Sequence, residues 1–238
     1  MLAEESPMAF PPLLLTEFIG YVLQNHKAPT TLVICSSRET FLDELRACID
    51  HTQSPSASRT EEGSKEMHSL LIPTIHLLAK SQSVKLAFVP TLPHLRAFLA
   101  THTNSAKSEI SSSIMMKPGS QTSMLAICGI ARLHISTAEH SAQGLSRTLA
   151  TAVEVAKTGG QGLVLAELKE LNGRDDHKAA NDGDGNLEDP WKEQVPLLSG
   201  SVRFGGEERS WAGRTIEVGK VAAKWCTFVS LNDGGDAN

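Results

Sequence analysis

The sequence predicts an α/β fold, a doubly wound, mostly parallel sheet with an antiparallel C-terminal hairpin, and three observations carry that prediction. Two short, nearly all-apolar runs, Met124–Ile130 and Gly162–Leu168, read as strands buried on both faces. Between them Ser141 can cap a helix whose Leu145, Leu149, Val153 and Ala156 share one face, and Gly159-Gly160 stops it. Strand, crossover helix and strand make a βαβ unit, and similar alternations precede it. The tail alternates instead with period two, as antiparallel strands do.

Taken in order, Pro11-Pro12 precede a helix over 13–25 with Leu14, Phe18, Tyr21 and Val22 on one side. Thr31–Cys35 is a strand. It runs into Ser36-Ser37-Arg38-Glu39, a capping-box spacing that opens a helix over 40–49 with Phe41, Leu45 and Cys48 inward. A helix over 69–80 tolerates Pro73 only in its first turn. Val84–Val89 is the next strand, and Pro93 opens a helix bearing Leu95, Phe98 and Leu99. After the βαβ unit, order resumes over 191–198. Ser201–Phe204 and Arg214–Val218 then form a hairpin around Gly205-Gly206, and Val221–Leu231 supplies a last strand. Three polar, low-complexity stretches, 52–67, 103–123 and 169–189, read as mobile insertions in a single domain spanning residues 1–238.

At 238 residues the chain is long enough to bury one substantial core. A net charge of -5 supplies no global attraction for nucleic acid, although a local basic patch can still provide it. No apolar run approaches the roughly 20 residues that span a bilayer, so no membrane partner is expected. The acidic, proline-bearing first dozen residues lack the signature of a signal peptide. Of the four cysteines, Cys35, Cys128 and Cys226 lie in apolar runs where reduced thiols pack as small hydrophobes, as in a reducing interior; Cys48 is the fourth.

No complete catalytic constellation stands in the sequence. Glu39 reads as a capping partner of Ser36 rather than a general base. Cys128 has no cationic neighbour in sequence and reads as an inert thiol. His134 and His140, six apart with no nearby Cys or carboxylate pattern, read as surface or partner-contact histidines rather than metal ligands. Gly144-Leu-Ser-Arg-Thr148 lies inside a predicted helix and is not a nucleophile elbow. The expected catalytic, cofactor and metal residues are therefore none.

The order of elements resembles the RecA-type ATPase core of recombinases and their paralogues. Val33-Ile-Cys-Ser-Ser-Arg-Glu-Thr-Phe41 is similar to the strand and acidic turn that follow the phosphate-loop helix in that family. Met124–Ile130 sits where the family has its Walker B strand, and the region 191–228 resembles its closing β region. The departures are as informative. No G-x-x-x-x-G-K-[ST] occurs. Cys128 falls at the Walker B acid and Arg38 at the catalytic Glu, with Glu39 one place along. The first helix also comes too early to leave room for a preceding strand and loop.

The resemblance thus implies a core that does not turn over nucleotide, retained for partners. Two assemblies use such cores. In the Shu complex, short paralogues without phosphate loops pair with one another, bind forked DNA and assist recombinase loading in the nucleus. In the accessory ring of Elongator, RecA-like subunits act in tRNA wobble-uridine modification in the cytoplasm. The expected role is a non-catalytic recombinase paralogue in homologous recombination DNA repair, paired with another RecA-like chain. An Elongator subunit and an α/β enzyme of another family, using His134, His140 or Cys128, are the alternatives. For single-stranded or forked DNA the segment 169–189 is too acidic. The candidates are Arg203, Arg209, Arg214, Lys220 and Lys224, with Trp211 and Trp225 interspersed to stack bases. The simpler reading of that region is a solvated hairpin whose tryptophans are in the core or at a protein interface.

Overall fold

The computed structural model describes residues 6–25, 29–52, 68–112, 123–169, 189–198 and 214–231. Its centre is a six-stranded parallel sheet built from β1 (Met8–Ala9), β2 (Thr30–Ile34), β3 (Val84–Phe88), β4 (Ser123–Cys128), β5 (Gln161–Ala166) and β8 (Thr227–Phe228). The strands lie in the order β3-β2-β4-β5-β1-β8. A separate antiparallel pair joins β6 (Gln194–Pro196) to β7 (Thr215–Glu217). The βαβ unit is as expected, with β4 and β5 paired from Ser123↔Gln161 to Cys128↔Ala166. The strand around Val33 lies directly beside β4, with Ile34 opposite Cys128.

Period-two alternation in the buried strands sorts their side chains onto two helical layers. Val33, Leu125, Ile127, Leu163 and Leu165 face α4 (Leu92–Ser112) and α6 (Ala142–Thr158). Leu32, Ile34, Met124, Ala126 and Val164 face α1 (Leu15–Asn25) and α2 (Arg38–Thr52). Each Leu or Ile buried this way contributes about 1.5–3 kcal/mol relative to exposure, which is why both faces must be covered. α6 is capped as the sequence implies, Ser141 Oγ accepting from Gly144 N at 3.1 Å. Leu145, Leu149 and Ala156 are buried, while Val153 is half-buried.

Several expectations need correcting. A strand, β1, does precede the first helix, pairing in parallel with both β5 and β8. Two residues suffice because they are held between neighbours on both sides. The cap of α2 is Ser37, whose Oγ accepts from Thr40 N at 3.1 Å, one position later than the expected Ser36 box. Pro73 splits the predicted helix over 69–80. A 3₁₀ turn over Ser69–Leu71 precedes it, and α3 (Ile75–Gln82) starts afresh from a Thr74 cap. α4 continues to Ser112 through what composition presents as a loop, since no Gly or Pro interrupts it before Pro118.

Met124–Ile130 ends as a strand at Cys128, because Gly129 at φ +87° turns Ile130 into α5 (Ile130–Ile135). In place of one strand over 221–231 the chain makes α7 (Val218–Ala222), a turn, and then β8. Trp191 sets that helix, its carbonyl accepting from Gly219 N at 2.7 Å. The expected hairpin strand Ser201–Phe204 lies outside the described residues; among the described ones β7 pairs with β6. No described helix is long and apolar enough to cross a membrane.

Candidate functional site

Parallel sheets collect chemistry at the carboxyl ends of their strands, and here the ends of β2, β4, β5 and β1 lie level. Cys35 N donates to Cys128 O, Gly129 N to Ala166 O and Phe10 N to Leu165 O, each at 2.9 Å. Just past β5 stands Glu167, only 1% exposed. Its carboxylate accepts from Ala131 N at 2.7 Å, in the first turn of α5, while Oε2 is buried with no hydrogen-bond partner. Burial pushes this carboxyl up to about 7, although the amides of Ala131 and Arg132 and the Arg132 guanidinium pull the other way.

Glu167 has two thiol neighbours. Cys35 and Cys128 are both pushed well up, first by burial and then by the Glu167 charge. A thiol so placed is protonated and a poor nucleophile, in keeping with an inert Cys128. The two also face different helical layers, Cys35 toward α4 and α6, Cys128 toward α1 and α2. Among the described residues no three or more His, Cys, Asp or Glu side chains are grouped to hold a metal ion.

Beside Glu167 runs the connection from β1 to α1, where a phosphate loop sits in strand-loop-helix nucleotide sites. Its backbone donors are already engaged. Phe10 N is in the sheet, Pro11 and Pro12 have no N–H, and Leu13 N donates to Glu167 O at 3.1 Å. Leu14 N donates to the Glu17 carboxylate at 2.8 Å. Lys169 N closes back onto Leu13 O at 2.9 Å, so Leu13 and Leu168 form a parallel bridge. A nest for phosphate needs glycine-permitted turns and unspent amides. This junction offers apolar side chains, two prolines and an acidic cap.

A second polar network lies under the α5–α6 connection. His134, expected at a surface, is 0% exposed. Its Nδ1 lies 3.1 Å from Glu139 O and its Nε2 lies 3.1 Å from Thr148 Oγ1. Burial, ahead of the Glu139 carbonyl bond that opposes it, lowers its pKa, so the ring is neutral near pH 7. Glu139 itself is gripped by both guanidinium nitrogens of Arg96, one at 2.7 Å, with Arg147 at 3.8 Å. The Arg96 hydrogen bond holds the Glu139 carboxyl below the usual carboxylate range. His140 is turned elsewhere, 3.1 Å from Glu193 Oε1. The two histidines therefore share no ligand position. Ser146 is likewise spoken for, its Oγ accepting from Trp225 Nε1 at 3.0 Å.

Of the DNA-contact candidates, Arg203, Arg209 and Trp211 lie outside the described residues. Arg214, at the mouth of β7, and Lys224, after α7, are exposed. Lys220 is exposed too, but pairs with Glu217 at 2.9 Å. Trp225 is half-buried and anchored to α6, and Trp191 is buried with its Nε1 donating to Phe10 O at 2.9 Å. Neither ring is presented for base stacking. Glu39 is exposed, held below the usual range by its own backbone N–H and by Ser37.

Sequence reasoning missed Glu167, Arg96, Glu139 and Thr148. For Glu167 a signal existed, an acid breaking the apolar run Leu163–Leu168. The other three meet only across α4, the α5–α6 connection and α6, and nothing local marks them.

No curated protein and no solved structure matches the chain. A family model described as SPAC22G7.03-like matches residues 10–173, which take in α1, the whole βαβ unit and Glu167. Matched over more than half of its 238 residues, the chain belongs to the SPAC22G7.03-like family.

Proposed function

We propose that this protein is a non-catalytic RecA-like recombinase paralogue that pairs with a similar subunit and assists homologous recombination. The observation that carries the reading is the β1–α1 connection. A strand enters and a helix leaves, as in a phosphate-binding core, yet the connection Phe10–Leu14 has its amides spent within the chain and Glu17 at the helix start. Such a junction repels anions and keeps its packing role. The acid expected at the end of the central strand is Cys128, a buried thiol. The adjacency of β2 and β4 in one sheet also supports the reading.

The test is purification of the full chain from its native cell with its stoichiometric partner. Expected are a RecA-type partner sequence, salt-sensitive binding of forked DNA by the pair, and no ATP hydrolysis by the chain itself. Replacing Arg214 and Lys224 together by Ala should then lower the slope of log affinity against log salt by about 1–2. Failure of every such complex to bind DNA would refute the repair role. A hexameric ring with tRNA-modifying subunits would transfer the protein to the Elongator reading. One observation favours an enzyme instead: Glu167 is a buried acid with a near-neutral pKa at the edge where α/β enzymes work. Turnover abolished by Glu167→Gln, with the fold intact, would decide for it.

A further inference from the structure

The corner made by the 3₁₀ turn, α3 and the edge strand β3 covers little of its own apolar surface. Of the nine large hydrophobic residues exposed among the described ones, five fall here: Leu71, Ile72, Ile75, Leu78 and Leu86. α3 is specified locally. Leu77 N donates to Thr74 Oγ1 at 3.1 Å at one end, and Ser83 Oγ donates to Lys80 O at 2.9 Å at the other. Yet none of its 8 residues is buried. Isolated helices shorter than about 12–15 residues are marginal in water and are held in proteins by an apolar face that packs. Here Ile75 and Leu78, three apart and on one face, are turned outward, 87% and 52% exposed. Leu86 adds to them from β3. Its neighbour across the sheet, Leu32, faces the layer of α1 and α2, as do Val84 and Phe88, so Leu86 points to that side and α3 leaves it uncovered. Such an apolar cluster marks a surface that meets another molecule.

The charge on this corner is one-sided. From His68 to Ser108 the chain holds Lys80, Lys85, Arg96 and Lys107 and no carboxylate, although the whole molecule carries a net charge of -5. Lys80 lies in the last turn of α3, and Lys85 is exposed on β3 next to Leu86. We propose that this corner is a docking surface for an acidic segment of another protein. Apolar side chains of that segment cover Ile75, Leu78 and Leu86, and its carboxylates meet Lys80 and Lys85. Covering the outer face of α3 supplies the packing that the chain itself does not give it, while the opposite charges set the partner's choice and register. A second copy of this chain is a poorer occupant. A two-fold contact sets one cationic corner against the other, and like charges oppose it. The inference stands apart from the proposed repair role, because the surface selects an acidic, apolar segment whatever fold carries it.

The test uses the full chain in its native cell with Ile75 replaced by the photoreactive p-benzoylphenylalanine. Irradiation should join it to one segment of another protein, rich in Asp and Glu among apolar residues. That segment, made as a synthetic peptide, is the probe for the purified chain. Ile75→Asp should weaken its binding roughly 10-fold or more, and so should Lys80→Glu with Lys85→Glu, whereas Lys80→Arg with Lys85→Arg keeps it. Ile75 is exposed, and an acid in the first turn of a helix is favourable, so the Asp variant keeps the circular dichroism of the free chain. Should the charge-reversed protein not fold, the wild type still decides by hydrogen–deuterium exchange. Protection over residues 74–83 should rise roughly 10-fold or more when the peptide is added, and high salt should abolish the rise. Crosslinks only to this chain or to a second copy of it, a captured segment without carboxylates, or binding unmoved by charge reversal overturns the proposal. So does an α3 whose protection the peptide leaves unchanged.

Discussion

Replacing Gly144 by Ala separates local propensity from tertiary packing more sharply than any other single change. Gly144 lies in the first turn of α6, and by propensity alone Gly→Ala inside a helix gains about 1 kcal/mol. Here the added Cβ would stand 2.1 Å from the carbonyl oxygen of Glu139, an impossible approach to backbone. That carbonyl accepts from Ser141 N at 2.8 Å and lies 3.1 Å from His134 Nδ1, which is buried. Moving it breaks both bonds and leaves buried polar groups unpaired, at about 1–3 kcal/mol each. Set against the propensity gain, the net effect is a loss of about 1–5 kcal/mol. For a chain of this size that is a fall of roughly 2–20 °C in Tm. Urea titration followed by fluorescence of the described Trp191 and Trp225, with calorimetry alongside, measures it. A Gly144→Ala protein as stable as the wild type, or more so, would show that Glu139 does not lie over the helix start.

Three further outcomes follow from the same packing. Leu125→Ala, in the central strand at 0% exposure, should cost about 2–5 kcal/mol by urea denaturation, through lost burial and the cavity left behind. Trp191→Phe keeps most of the ring's packing against Phe228 but strands the Phe10 carbonyl; a loss of about 1–3 kcal/mol and weaker exchange protection in β8 are expected. The His134 pKa is lowered in the fold, so the unfolded chain binds its proton first as pH falls, and the stability it contributes above its unfolded pKa of about 6.5 drains away below it. Comparing urea midpoints of wild type and His134→Gln between about pH 7 and pH 5 isolates this term, the wild type losing more as pH falls. Glu167 runs the opposite way, its raised pKa giving stability that is lost as pH rises through about 7, and it cancels in that comparison.

The parallel sheet was legible because buried strands advertise themselves as short apolar runs, and helices as apolar positions three or four apart. Leu163–Ala166 and Leu145–Leu149–Ala156 are buried as their spacing implies. Ser141 and Gly160 punctuate α6 through their own chemistry, a short acceptor side chain and freedom at φ +61°. Met8–Ala9 carries no such signal, since a two-residue strand is defined by its neighbours β5 and β8 rather than by its own pattern. The same holds for α7, which exists where Trp191 and Glu193 accept from Gly219 and Val218.

By itself, then, the sequence determined the fold class, the βαβ unit and the absence of a glycine-rich phosphate motif, because each rests on residues close together along the chain. Only the tertiary structure decided that Glu167 is buried against α5, that His134 is a core residue, and that the β1–α1 amides are spent. Burial and hydrogen-bond partnership depend on which segments meet, and here they join positions as distant as Phe10 with Trp191 and Ala131 with Glu167.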